Sequence, residues 1–367
     1  MRTQNTFPFV FPKAVALACL LLVVLTPLPG LAAVVLQYHH ISSDTPAATS
    51  ISPQLFREHM AYLKEAGYEV VPLEALTASL KAGRALPDKT VAITFDDGYD
   101  SIYTTAFPIL KDYGWPFTIF LNTKPLQQGQ GQFVSWDNVR EMAKAGATIA
   151  NHSYSHTHMI RRQAGESEGE WRQRMRNEVM TTEATIAEET GQRHRVFAYP
   201  YGEYDLATVA LLADLDFIAF GQQSGPLGGI EDLQVLPRFP FGGIYGNMED
   251  FKTKVASRPM PLTKVEVRAG RRELRDTVLP QSVDRPGLLL TFAEEGIARR
   301  VQCFASGQGA IPVEVNGKQI IARAEKPLPV GRSRYNCTAM SDQAGRFYWY
   351  SQVFIRKKPN GEWYEEM

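Results

Sequence analysis

The chain has 367 residues, of which 44% are hydrophobic, 21% charged and 11% aromatic; this excludes a disordered tail, a collagen and a small disulfide scaffold. Its 39 Lys and Arg balance 39 Asp and Glu, so the chain lacks the cationic excess with which a dedicated nucleic-acid binder neutralises phosphates. The length suits one large or two medium domains, each able to bury a core.

The amino end reads as a secretory signal. Arg2 and Lys13 are the only charges before Ala33; the apolar run Ala14 to Leu25 follows, then Thr26, Pro27, Pro29 and the small residues Gly30, Ala32 and Ala33. That run is shorter than the roughly 18 to 20 residues a spanning helix needs. Residues 1–33 are therefore expected to be a signal peptide cleaved near Ala32 or Ala33, with an uncleaved anchor as the alternative. The mature chain would be periplasmic or secreted, without a membrane span. Cys19 lies inside the apolar run and would leave with it. Cys303 and Cys337 then read as one disulfide in an oxidising compartment, worth about 3 to 4 kcal/mol in the chain-entropy model.

From Val34 to about Phe241, brief apolar runs alternate with helical patterns. Val34–Tyr38, Thr90–Phe95, Phe117–Leu121, Ala147–Ala150, Val196–Tyr199 and Phe217–Phe220 have the near-continuous hydrophobicity of strands buried on both faces of a parallel sheet. Phe56, Met60 and Leu63 repeat at helical spacing after Ser52 and Pro53, good capping and first-turn residues. Trp171, Met175, Val179, Thr182 and Ile186 make a longer helical stripe whose plain meaning is core packing. Alternating strands and helices define an α/β fold, and a barrel or a doubly wound sheet would both fit.

The pattern changes after Pro259 and Pro261. Gly287–Phe292, Arg300–Ala305, Val313–Val315, Gln319–Arg323 and Phe347–Ile355 read as strands, with Asn316-Gly317 and Asn360-Gly361 as turns. The expectation is a catalytic unit over residues 34–260 and a small β-sandwich over 264–367. Charge divides with them: 20 Lys and Arg against 27 Asp and Glu over residues 34–263, but 17 against 12 from Lys264 onward. Phe347, Tyr348, Trp349 and Tyr350 are dense enough to suggest stacking on sugar rings, although strand alternation puts one pair in the core. Carbohydrate binding and scaffolding are both open roles for the sandwich.

Three clusters sit just past strand ends, where α/β enzymes place their sites. In Thr94-Phe95-Asp96-Asp97-Gly98-Tyr99 a strand runs into two adjacent carboxylates, which repel and are disfavoured in β-structure. Asn151-His152-Ser153-Tyr154-Ser155-His156-Thr157-His158 holds three of the chain's seven histidines; His152 and His156, at i and i+4, would face the same way on a helical turn and take adjacent corners of one metal. Asp97, His152 and His156 would form a two-His, one-carboxylate set with positions left open, as a catalytic metal requires. Zinc suits it, and cobalt, nickel or iron would be accepted. In Phe197-Ala198-Tyr199-Pro200-Tyr201-Gly202 a strand breaks at Pro200 and Gly202, presenting the Tyr201 N–H at a rigid bend where it could donate to an oxyanion. A solvated histidine loop and ordinary Asp-Gly and Pro-Gly turns are the plainer alternatives.

Taken in this order, TFDDG, HSYSH and PYG resemble the polysaccharide deacetylases of carbohydrate esterase family 4, over residues 34 to about 241. The resemblance implies a distorted, incomplete (β/α) barrel, with Asp96 as general base, Asp97, His152 and His156 as metal ligands, and Tyr201 as oxyanion donor. Two departures stand out: Ala198-Tyr199 occupies the place where many members have an Arg before Pro-Tyr-Gly, and no late Leu-x-His segment supplies a general acid. Tyr38-His39-His40, at the end of the first strand, and Arg238 look instead like the subgroup acting on poly-β-1,6-N-acetylglucosamine. That similarity implies His39 as general acid, with His40 as its competitor, and Arg238 as the group beside Asp96.

The expected activity is therefore removal of acetyl groups from N-acetylglucosamine units of an exported polysaccharide, with the secretion machinery of that polymer as a further partner. A deacetylase of chitin-like oligomers or peptidoglycan is the alternative enzyme. A decayed sugar-binding or secretion-partner protein is the alternative of another class.

Overall fold

The computed structural model describes residues 32–230 and 232–365. The signal-peptide reading, with Cys19, falls on residues 1–31 and lies outside them. Among the described residues no helix is long and apolar enough to cross a membrane.

Seven parallel strands form the first sheet: β1 (Ala33–Tyr38), β2 (Thr90–Asp97), β3 (Thr118–Leu121), β4 (Thr148–Asn151), β5 (Val196–Ala198), β6 (Ile218–Phe220) and β7 (Phe239–Pro240). Their order is β7-β1-β2-β3-β4-β5-β6, and the short strand Glu69–Val70 pairs beside the start of β2. One parallel bridge from Phe220 to Leu236 brings the segment leading into β7 alongside β6. The result is a distorted, incomplete (β/α) barrel. β1 to β6 are buried throughout, which explains why they read as unbroken apolar runs.

The helices follow their end signals. Ser52 accepts from the Leu55 N–H and Pro53 takes the first turn of Pro53–Glu65, whose buried face is Phe56, His59, Met60 and Leu63. His59 is a satisfied core histidine: its Nε2–H donates to the Gly246 carbonyl at 2.8 Å, leaving Nδ1 to accept from the Tyr38 hydroxyl at 3.0 Å. The long helix Glu168–Thr190 opens on a capping box between Ser167 and Glu170 and ends at Gly191 in the left-handed conformation. It buries Trp171, Met175, Val179, Thr182 and Ile186.

Two five-stranded sheets follow. One contains β8 (Arg258–Pro259), β12 (Gln302–Ala305), β13 (Gly309–Ile311), β16 (Gly331–Met340) and β17 (Phe347–Arg356); the other contains β9 (Leu262–Ala269), β10 (Arg272–Leu274), β11 (Gly287–Phe292), β14 (Val313–Asn316) and β15 (Gln319–Arg323). Asn316-Gly317 turns the β14–β15 hairpin, with Gly317 at φ 56°. Cys303 and Cys337 face each other across β12 and β16 and are disulfide-bonded. In the aromatic run, Tyr348 enters the sandwich core, while Trp349 packs edge-on against Phe239 of the barrel at 5.2 Å. That indole serves the junction between barrel and sandwich.

Trp171 ties this framework to the histidine loop, because its fully buried indole N–H donates to the Met159 carbonyl at 2.8 Å. Replacing Trp171 with Phe should cost about 1 to 3 kcal/mol through the stranded carbonyl. A lowered midpoint in chemical unfolding checks this; an unchanged midpoint contradicts it.

Candidate active site

Every strand-end cluster singled out in the sequence arrives at the carboxyl edge of the barrel. Asp96 and Asp97 close β2, His152 follows β4, Tyr199 to Gly202 follow β5 and His39 follows β1; Arg238, at the amino end of β7, reaches Asp96 through its side chain. Parallel strands share a direction, so their carboxyl ends lie on one side of the sheet.

The two carboxylates part because the chain twists between them. Asp97 has φ 70° and Gly98 φ 84°, and a Cβ on Gly98 would stand 2.4 Å from Leu121 Cδ2, so only glycine fits there. Asp97 Oδ1 lies 3.3 Å from His152 Nε2 and 3.2 Å from His156 Nε2. His152 Nδ1 lies 2.7 Å from the Ala198 carbonyl. A carbonyl only accepts, so Nδ1 carries a proton and Nε2 is the nitrogen turned toward Asp97. Asp97 Oδ1 and His152 Nε2 are both buried without a hydrogen-bond partner. Leaving such atoms unpaired is costly, and together with His156 they form the only group of three metal-ligating residues detected among the described residues. The chemistry of the donors and these orphaned atoms fit a divalent cation.

The histidine loop corrects one expectation. His152 and His156 do not share a helical turn: residues 152–158 are irregular, with Ser153 at φ 64° and His156 at φ 56°. The loop is instead shaped by its own side chains. Asn151 Oδ1 accepts from the Ser153 N–H at 3.0 Å, Ser153 Oγ from the His156 N–H at 3.1 Å, and Glu178 takes both the N–H and the hydroxyl of Ser155. Short polar side chains tolerate and brace such turns.

Asp96 has a separate setting. Arg238, fully buried, meets it through two parallel bonds, Nη1 to Oδ1 at 2.7 Å and Nη2 to Oδ2 at 2.8 Å, and Gln37 donates to Oδ2 at 2.6 Å. Arg238 Nε donates to the Gly221 carbonyl at 3.0 Å, and its Nη1 also reaches Thr94 Oγ1 at 3.2 Å. Burial opposes ionisation of Asp96, but Arg238, with His152 and His39, holds its carboxyl below the ordinary 3.8. Burial likewise opposes ionisation of Asp97, and His152 and His156 hold its carboxyl below the ordinary value.

His39 and His40 diverge. His39 Nε2 lies 4.0 Å from Asp96 Oδ2, whereas the His40 ring stacks on Tyr99 at 3.5 Å and burial pushes its pKa down to about 4. Pro200-Tyr201-Gly202 forms a tight turn with Tyr201 at φ 61°, and the Tyr201 ring meets His156 edge-on at 4.4 Å. The third histidine of the loop, His158, stacks on the other side of that ring at 3.9 Å and pairs with buried Glu203 at 2.7 Å. Cys303 and Cys337 lie in the sandwich, outside this cluster. Gln37 and Glu203 are members that sequence reasoning missed, a lone Gln in the buried run of β1 being the available signal, and His158 was noted in the histidine cluster without a role.

Comparison with known proteins agrees with the fold. The polysaccharide deacetylase family matches residues 83–220, a stretch that lies within the barrel. Among curated proteins, the chain is 26% identical over 247 residues to a poly-β-1,6-N-acetyl-D-glucosamine N-deacetylase of Escherichia coli strain K12, a match covering 58% of this chain and 37% of that protein. Among solved structures, IcaB from Ammonifex degensii aligns with a TM-score of 0.52 at 25% identity, over 62% of this chain and 97% of the other. A de-N-acetylase from Aggregatibacter actinomycetemcomitans aligns at 0.53 and 25%, over 60% and 98%.

Two outcomes test the site. Zinc titrated calorimetrically should bind the wild-type chain but not His152→Ala, while His194→Ala, which alters a half-buried pair with Glu74 outside the site, should bind as the wild type does; equal zinc affinity in all three contradicts the ligand set. The lowered Asp96 pKa contributes stability that is complete above about pH 4 and is lost as pH falls through its folded value. As pH falls below about 4, the wild type should therefore lose more unfolding free energy than Asp96→Asn, and parallel losses contradict this.

Proposed function

We propose that the chain is an exported, metal-dependent N-deacetylase acting on N-acetylglucosamine units of a polysaccharide, with poly-β-1,6-N-acetylglucosamine as its substrate. One observation carries the reading: Asp97, His152 and His156 converge on a common point while the adjacent Asp96 is turned away to Arg238. Asp97, His152 and His156 would hold the ion, zinc foremost, with cobalt, nickel or iron also suited to these donors. When bound, such an ion supplies acidification of a water and polarisation of the acetyl carbonyl.

The remaining work falls to side chains of this chain. Asp96 accepts the proton of the attacking water. Arg238 weakens that base but keeps it ionised at neutral pH, so the proton-accepting form is always present. The Tyr201 N–H donates to the oxygen on which negative charge develops. His39, on the Asp96 side of the cluster, delivers a proton to the departing sugar nitrogen. Breaking the C–N bond thus leaves acetic acid, which ionises to acetate, and a glucosamine unit; the proton taken by Asp96 passes to solvent and His39 is reprotonated from it for the next turnover.

A polymer needs room beyond the reacting unit. An open groove of about 760 Å³ runs beside Tyr99 between the segments His40–Pro46 and Asp100–Thr105. Export is supported by the amino-terminal pattern and by the Cys303–Cys337 bond.

Acetate release from defined β-1,6-linked N-acetylglucosamine oligomers should require added zinc and stop with chelator. It should exceed release from β-1,4-linked oligomers. Asp96→Asn and His39→Ala should each lower the rate about 100 to 10,000-fold, with His39→Ala still binding zinc. Faster turnover of β-1,4 oligomers would shift the substrate to chitin-like polymers, and no turnover of either would mark a sugar-binding protein.

A further inference from the structure

The Tyr201 turn is held from outside the barrel. β16 alternates, so Ser333, Tyr335 and Cys337 point into the sandwich and are buried there, while Arg332, Arg334 and Asn336 leave by the opposite face. That face meets barrel backbone directly at two positions and through Ser351 at a third. Arg332 Nη1 donates to the Tyr201 carbonyl, and its guanidinium lies 5.8 Å from the centre of the Tyr201 ring. Arg334 Nη1 donates to the Gln222 carbonyl at 3.2 Å. Asn336 Oδ1 accepts from the Ser351 hydroxyl at 2.7 Å, and that hydroxyl also lies at hydrogen-bonding distance, 2.5 Å, from the Ser224 carbonyl.

Gln222 is the surface on which the turn closes. A Cβ on Gly202 would lie 2.7 Å from Gln222 Cβ, so the two segments touch without room for a side chain. The turn is therefore confined on three sides: Gln222 below, the His158 ring against the Tyr201 ring, and Arg332 on the carbonyl. This confinement matters because Tyr201, at φ 61° and ψ 1°, holds a conformation disfavoured for a residue bearing a side chain.

We propose that Arg332 is a positioning residue for deacetylation: by engaging the Tyr201 carbonyl, it fixes the left-handed turn on which the direction of the Tyr201 N–H depends. The inference rests on the oxyanion role given to that N–H above. It makes the sandwich a working part of the active site, since the arginine comes from β16 and not from the barrel. Without the guanidinium, the turn relaxes toward ordinary backbone geometry, and the donor loses its aim at the developing charge. The metal ligands and the groove stay where they are, so substrate and zinc continue to bind.

The test uses the full chain loaded with zinc and a β-1,6-linked N-acetylglucosamine oligomer. Arg332→Ala should lower kcat about 10 to 100-fold, the cost of misaiming a catalytic group, with KM and zinc affinity unchanged. Arg332→Lys, which retains a donor for the same carbonyl, should recover part of the loss. An active wild type with an unimpaired Arg332→Ala overturns this inference alone. So does a loss of kcat matched by loss of zinc affinity or by unfolding, in Arg332→Ala and Arg332→Lys alike. A wild type that releases no acetate with any metal overturns the reading of the site, and this inference with it.

Discussion

The buried pair between Arg238 and Asp96 separates two neighbouring carboxylates that would otherwise compete for one job. Adjacent acids in a closed site repel, and without a partner one of them would hold a proton. Arg238 removes that conflict by taking both oxygens of Asp96, which leaves Asp97 to the two histidines. The guanidinium carries a large desolvation cost, met here by Asp96, the Gly221 carbonyl and Thr94 together. Both halves of the proposed chemistry, an ionised base and a separate ligand trio, depend on this arrangement.

The barrel supplies position and the loops supply direction. Parallel strands deliver Asp96, His152, Tyr201 and His39 to one edge regardless of their distance in sequence. Their final aim depends on local devices: the left-handed Asp97 followed by Gly98 closed on Leu121, the serine-braced histidine loop, and the Ala198 carbonyl that sets the proton of His152 Nδ1. Such devices favour a set of rigid side chains over one assembled only on binding.

Much of this was legible in the sequence, for physical reasons. Strands buried on both faces must be apolar along their length, so β1 to β6 announced themselves, and polar residues at their ends were conspicuous. The cysteine pair, the Asn316-Gly317 hairpin and the Phe56 and Trp171 stripes were readable for similar reasons. The geometry of His152 and His156 was not, because spacing of four suggests a helix and says nothing of Ser153 and His156 at positive φ. β16 was missed because Gly331–Met340 alternates charged and small residues, a weak apolar signal. With it went Arg332 and Arg334, whose contacts lie more than a hundred positions away and leave no local trace.

The central claim is that one divalent ion sits on Asp97, His152 and His156 while Asp96 remains with Arg238. A crystal of the zinc-soaked chain, measured at the zinc absorption edge, tests it most directly. The account predicts one strong anomalous peak about 2.0 to 2.2 Å from a carboxylate oxygen of Asp97 and from both imidazole Nε2 atoms, with Asp96 still paired to Arg238. A peak coordinated by Asp96, or no peak at these residues, would contradict it.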